Sequence, residues 1–433
     1  MELHGWGRYP RLDAQVVLPL SATQCVATLA SHAPLIAHAL GRSYGDSALA
    51  SQVLGTRYLD HLAAFDAATG VLTCEAGVSL DTILRTFVPR GWFLPVTPGS
   101  RFVTVGGAIA SDVHGKNHHG AGTFCAHVQR LELLLGNGER LDASPSDNAE
   151  LFHATCGGMG LTGIILSVTV QLKPIVASDI LQTTIKAPNL EAVLEAFAAN
   201  AASTYSVAWI DCLARGSSLG RSLLMLGENA TSGPLTVQAK PPTPVPFDLP
   251  AALLNRTSVQ AFNSLYYGHV RQTASQKRIA FEPFFYPLDA IGHWNRLYGR
   301  PGFVQDQFVL PQAAGVAGLR QVIERIAESG QGSFFAVLKV FGPANANYLS
   351  FPQAGFTLAL DFKVEPAVFE LLDELDAIVL HHGGRLYLAK DARMSAATFR
   401  AGYPNWPAFE EVRARWHAHG KFASTQSKRL GLL

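Results

Sequence analysis

Apolar and polar positions change their period along the chain, and each change marks an element. The stretch VLTCEAG (71–77) alternates with a period of two, as a half-buried strand does. In SLDTILRTFVPR, which follows, apolar residues recur every three or four positions; Ser79 can cap that helix, and Gly91 stands where a helix C-cap belongs. Upstream, Ser21 can cap a helix through about Ser31, PLIAHA predicts a short buried strand, and GRSYGD (41–46) a turn of small residues. Downstream, LELLLGNGERLD (131–142) predicts a hairpin with Asn137-Gly138 at its tip. ELFHATCGGMGLTGIILSVTVQL then runs from a helix through a glycine loop into a long strand.

From about residue 179 the glycine loops thin out and strands alternate with long amphipathic helices, so a second domain is expected there. GFVQDQFVLP, AAGVAGLRQVIERIAES, SFFAVLKVFG, GFTLALDFKV, PAVFELLDELDAIVLHH and GRLYLAK predict strand, helix, strand, strand, helix, strand. That order is the split βαβ pattern of a ferredoxin-like sheet, and it sets Lys339 and Lys390 on strands. The segment 231–250 carries six prolines and is expected to be a mobile loop able to serve as a lid.

A chain of 433 residues suggests two or three domains, each with its own core. Basic and acidic residues number 34 and 33, and no run of like charge offers a surface for nucleic acid. The five cysteines, Cys25, Cys74, Cys125, Cys156 and Cys212, form no CxxC pair and are expected as buried thiols in a reducing compartment. MELHGWGRYPR lacks the basic start and apolar run of an export signal, and no stretch of about 18 apolar residues occurs. A cytoplasmic protein is the resulting expectation. Three glycine-rich loops remain, at 40–49, 97–124 and 156–165. None ends in the Lys-Ser/Thr of a P-loop, so a diphosphate gripped by main-chain N–H groups is their chemical reading. The second loop also holds His114, His118 and His119, which leaves a metal site as an alternative, though neither HExxH nor HxH with a distant carboxylate accompanies them.

Taken in order, WGRYPR, GRSYGDSA, TPGSRFVTVGGAIASDVHGKNHH, LFHATCGGMGLTGII, YSVAW, QDQFVLP, GGRLYLAKDAR and FASTQSKRLGLL resemble the vanillyl-alcohol oxidase superfamily, which has a PCMH-type FAD-binding domain. Within it, the runs are most similar to the flavin subunits of polyprenyl-phosphoribose 2-epimerases. The resemblance implies an α+β fold. An FAD-binding domain of two α/β subdomains would span 1–178, and a substrate domain with an antiparallel sheet flanked by helices would span 179–384. A C-terminal segment, 385–433, would return to the FAD domain. Gly41, Arg42, Ser43, Tyr44, Gly45, Asp46 and Ser47 would hold the diphosphate. Gly99, Thr104, Val105, Gly106, Gly107, Ser111, Asp112, Val113, His114, Ile165 and Tyr387 would line the cofactor. Many relatives bond FAD covalently to a histidine where this chain has Tyr44, so FAD is expected without a covalent bond.

The implied reaction is oxidation of the 2-hydroxyl of a polyprenyl-phosphoryl β-D-ribofuranose to a ketone, the first half of an epimerisation. An NADH-using short-chain reductase would complete it. Such a reaction needs a base at the hydroxyl and a cation near the flavin. Lys390 matches a family active-site lysine, and Lys339, set among apolar neighbours, is expected to aim at a substrate oxygen, as are Gln305 and Gln307 on one strand face. His114 and Tyr387 complete the expected catalytic set, with Thr357 and Ala359 on the substrate side. Mycobacterial members carry a cysteine where Ala359 stands and an asparagine where Thr357 stands, so nitroaromatic inhibitors that react with that cysteine are expected to fail here. A lipid substrate implies visits to the inner membrane surface, from the cytoplasmic or the periplasmic side. Loops 231–250 and about 285–302, with the aromatics of FYPLDAIGHWNRLY, would make the contact. The alternatives are a sugar-alcohol or aldonolactone oxidase using oxygen, the metal-binding reading, and a non-catalytic binding protein.

Overall fold

The computed structural model describes residues 1–238, 241–250 and 253–432. The first 178 residues form two layers. A parallel sheet, in the order Gln15–Val17, Gln52–Gly55, Ile36–His38, is backed by helix Ala22–His32, which Ser21 caps through Gln24 N. An antiparallel sheet follows, in the order Arg140–Ala143, Val128–Leu134, Ile164–Gln171, Val71–Glu75, Leu62–Asp66. Helix Leu80–Phe87, capped by Ser79, buries Leu80, Ile83, Leu84 and Phe87 in the same core as Leu131, Leu133 and Val168. That core also seats helix Val105–Ala110, whose first turn Thr104 caps at Gly107 N.

The second region is one antiparallel sheet of eight strands, and it consists of two halves of equal topology. Ile180–Ala187, Tyr205–Ile210, Ser222–Asn229 and Ala274–Ile279 lie in the spatial order fourth, first, third, second. Phe303–Pro311, Ala336–Phe341, Gly355–Lys363 and Arg385–Leu386 repeat that order. The halves join where Ala208 pairs with Leu338 and Trp209 with Val337. Helices Leu190–Ala199, Gln312–Ser329 and Pro366–His381 cover one face through Leu190, Val193, Leu319, Val322, Leu372 and Leu375. The other face looks at the first region.

Three expectations are corrected. The run GRLYLAK is strand only at Arg385–Leu386; Tyr387 N donates to Gln307 O at 2.8 Å, and the chain then turns, so Lys390 sits on a turn. The turn is required because Ala389 must reach the glycine loop, where its carbonyl accepts from Tyr44 N at 3.1 Å. The aromatics of 285–298 do not face solvent: Phe285, Tyr286, Trp294 and Tyr298 are buried, the last two against Tyr44 and Phe303. Within 231–250, Thr243–Pro244 pairs with Ile291–Gly292 and Arg296 donates to the carbonyls of Val245 and Pro246, so this part is pinned; residues 239 and 240 lie outside the described residues.

The C-terminal helices Ala396–Gly402, Trp406–Arg415 and Thr425–Leu430 pack back on the first region. Arg413, fully buried, donates to Leu161 O and Phe422 O, and Leu35 bridges to Phe422. Arg429 grips Asp46 at 2.7 Å and Asp391 at 2.8 Å, tying the first glycine loop to the turn that carries Lys390.

Candidate active site

A cavity of about 1660 Å³ runs between the two regions, with all three glycine loops on one wall and the open face of the eight-stranded sheet on the other. Two glycines show why the loops must be bare. A Cβ on Gly45 would lie 1.9 Å from Asp391 O, and one on Gly106 would lie 2.9 Å from Ala76 Cβ. Among the described residues, the main-chain amides of Arg42, Ser43, Gly45 and Ser47 have no hydrogen-bond acceptor. Unpaired amides of this kind are what a diphosphate requires. Arg42 is held beside them, its guanidinium over the Trp6 ring at 4.4 Å and its Nε donating to Phe102 O.

Of the residues expected to hold a cofactor, Gly41, Arg42, Ser43, Tyr44, Ser47, Gly99, Thr104, Gly106, Gly107, Ser111, Val113, His114, Ile165 and Tyr387 line the cavity. Four others stand behind its wall. The Gly45 backbone packs on Asp391, Asp46 pairs with Arg429, and Val105 is in the core. Asp112, fully buried with φ +38°, accepts from Asn345 Nδ2, Asn347 Nδ2 and Ser350 Oγ at 2.8, 2.8 and 2.6 Å. It is a clamp from the second glycine loop to the connection between two sheet strands.

On the sheet side the expected residues come together. Gln307 Nε2 lies 3.0 Å from His114 Nε2 and 3.3 Å from Thr357 Oγ1, and Lys339 Nζ lies 3.4 Å from His114 Nδ1. Thr357 is fully buried and off the cavity, meeting it only through its hydrogen bond with Gln307, whereas Ala359 lines the cavity directly. Burial, with Lys339, His118 and Lys390 nearby, pushes His114 well below its ordinary range, so the ring is neutral and offers one donor and one acceptor. Tyr387 hydroxyl donates to Ser111 O at 2.8 Å, and its ring stacks on Phe351 at 4.5 Å.

Lys390 Nζ stands over the Tyr44 ring, 3.7 Å from its centroid. Burial pushes the ammonium down to about 7, with Asp361 opposing and Lys339 assisting the shift. Asp361, raised by burial, accepts from Gln305 Nε2 at 2.5 Å and from Tyr298 hydroxyl at 3.2 Å. Lys339 is lowered to about 8 by burial.

Two residues were missed from sequence. Lys116, two positions beyond His114, lines the cavity, donates to the carbonyls of Phe284 and Phe285, and is lowered to about 7 by burial and then Lys339. The spacing His114-x-Lys116 was its signal, hidden among flanking histidines. Asp361, an acid inside the apolar run TLALDF, was the other signal. The remaining histidines have separate partners: His118 Nδ1 accepts from Gly342 N, and His119 Nε2 meets Ser203 O. Among the described residues no group of three histidine, cysteine or acidic side chains is placed to hold a metal ion.

A family model described as an FAD binding domain matches residues 14–144. The chain is 38% identical to the decaprenylphosphoryl-beta-D-ribose oxidase of Mycolicibacterium smegmatis, over 100% of this chain and 97% of that protein. It is 32% identical to an uncharacterized protein in the mprA 5' region of Streptomyces coelicolor, over 82% of this chain and 100% of that one. A putative D-arabinono-1,4-lactone oxidase of Neurospora crassa is 29% identical over 39% of this chain and 31% of its own length.

Proposed function

The chain belongs to the decaprenylphosphoryl-β-D-ribose oxidase family of FAD-dependent oxidoreductases acting on CH–OH groups, and on that premise we propose that it oxidises the 2-hydroxyl of a polyprenyl-phosphoryl β-D-ribofuranose to the ketone. The observation that carries the reading is the meeting of His114, from the second glycine loop, with Gln307 and Lys339 of the facing sheet, in the cavity that Lys390 also lines. FAD, held without a covalent bond because Tyr44 occupies the family's histidine position, supplies the two-electron acceptor. The main-chain amides of Arg42, Ser43, Gly45 and Ser47 would hold its diphosphate, and the segment from Thr104 to His114 would line its ring.

Lys390 receives the hydroxyl proton at Nζ. A lysine lowered to about 7 is substantially neutral at physiological pH, which a base requires, and once protonated it would supply the cation that reduction of the cofactor calls for. Lys339 and Lys116 neutralise substrate oxygens, and Gln307, oriented by Thr357 and His114, fixes the sugar. The ketone passes to an NADH-dependent short-chain reductase, and the protein works at the inner membrane surface. Among the described residues no helix is long and apolar enough to cross a membrane. Anaerobic mixing tests the reading: a polyprenyl-phosphoribose should bleach the flavin absorbance while alditols and aldonolactones do not. Bleaching by the lactones alone would overturn it.

A further inference from the structure

On the face turned to the cavity, seven strands present one row of side chains whose character changes along its length. The pairing sets Gln307 opposite Ala359, Ala359 opposite Val337, Val337 opposite Trp209, and Trp209 opposite Leu223; one step along, Met225 stands opposite Val207 and Thr184. With the outer strand Ala274–Ile279, and at about 4.8 Å per strand, the row spans about 29 Å. Helix Arg256–Gly268 roofs its apolar middle. Tyr266 meets the Trp209 ring at 4.9 Å, Val259 and Phe262 line the same cavity, and buried Asn263 donates to Asp211 at 2.7 Å.

The outer side of that helix is uncovered. Leu265 is 76% exposed, Phe262 at the cavity edge keeps 43% exposure, and before the helix Leu253 is 57% and Phe247 62% exposed. Between Asp248 and Glu282 the chain has no acidic residue, but it has Arg256, Arg271 and Lys277, besides Arg278, which pairs with Asp179 at 2.7 Å. An apolar edge with a cationic flank, at the mouth of an apolar channel, suits an anionic bilayer surface. A second copy of this chain would set the same cations against each other.

We propose that helix Arg256–Gly268 and the segment before it dock the protein on an anionic lipid surface, and that the prenyl chain passes under the helix along the Met225–Trp209–Val337 row to reach Gln307. This rests on the prenyl-phosphosugar reading above. The test uses holoenzyme, phosphatidylcholine vesicles with and without phosphatidylglycerol, and the double variant Phe247→Glu/Leu265→Glu, neither of whose positions lines the cavity. Wild type should bind anionic vesicles about tenfold more tightly than the variant. Both should turn over a short-chain prenyl-phosphoribose in detergent at the same rate, and only wild type should keep its rate on long-chain substrate in vesicles. Equal vesicle binding by both proteins overturns the proposal, as does a dimer in sedimentation velocity that the variant dissolves. Wild type that binds vesicles but does not oxidise the short-chain compound overturns the proposed function and leaves the docking surface standing.

Discussion

The two halves of the eight-stranded sheet share one strand order and differ in what they turn toward the cavity. The half built on Phe303–Pro311 presents Gln305, Gln307, Lys339 and Ala359, while the half built on Ile180–Ala187 presents Val207, Trp209, Leu223 and Met225, with Gln182, Thr184 and Lys277 toward its outer edge. Fold therefore does not assign the chemistry. One half brings Lys339, buried, to the Gln305 and Gln307 amides, which can act on a sugar, and the middle of the other carries apolar surface. On the opposite, helix-covered face the halves are alike: Leu224, Ala208, Leu338, Leu358 and Leu360 all lie in one core.

Substitutions can break this division of labour, and the largest effect is expected at the chemical half. Lys390→Met should slow flavin reduction by about 10²- to 10⁴-fold in stopped flow, with FAD content preserved. His114→Ala should cost about 10²-fold in turnover through loss of Gln307 and Lys339 positioning, again with flavin retained; full activity would show that the ring is not needed. In the other half, Met225→Asp should raise KM for the long-chain substrate by about tenfold or more and leave kcat unchanged, the signature of lost uniform binding. A kcat effect there would erase the distinction.

The pH dependence sharpens it further. Lys390 and Asp361 titrate as a pair near 7, and under the proposed role of Lys390 as base its neutral form is the active one, so kcat/KM should fall as pH drops through about 7. Asp361 holds the Lys390 proton on; Asp361→Asn should move this limb to lower pH, whereas Lys339→Met should move it to higher pH. Met225→Asp should move it least. On the shared core face, Leu338→Ala should cost about 2–5 kcal/mol in urea unfolding without altering the limb.

The second half was legible in sequence because its strands and helices follow one another with short connections and a clean change of period. Its twin was not recognised: ILQTTIKA alternates with polar residues, and 44 residues, including helix Arg256–Gly268, separate Ser222–Asn229 from Ala274–Ile279. The site was legible where chemistry concentrates in short motifs, as around His114. It was not where a contact joins distant segments. Nothing local reveals that Asp112 would serve Asn345 and Ser350, or that the proton affinity of Lys390 depends on Asp361.

The grip of Arg429 on Asp46 spans 383 positions. During translation the first glycine loop emerges long before the residue that fixes it, and the turn carrying Lys390 emerges late as well. Loading of the flavin is therefore expected after release from the ribosome, and a nascent chain stalled before residue 420 should remain colourless even in excess FAD.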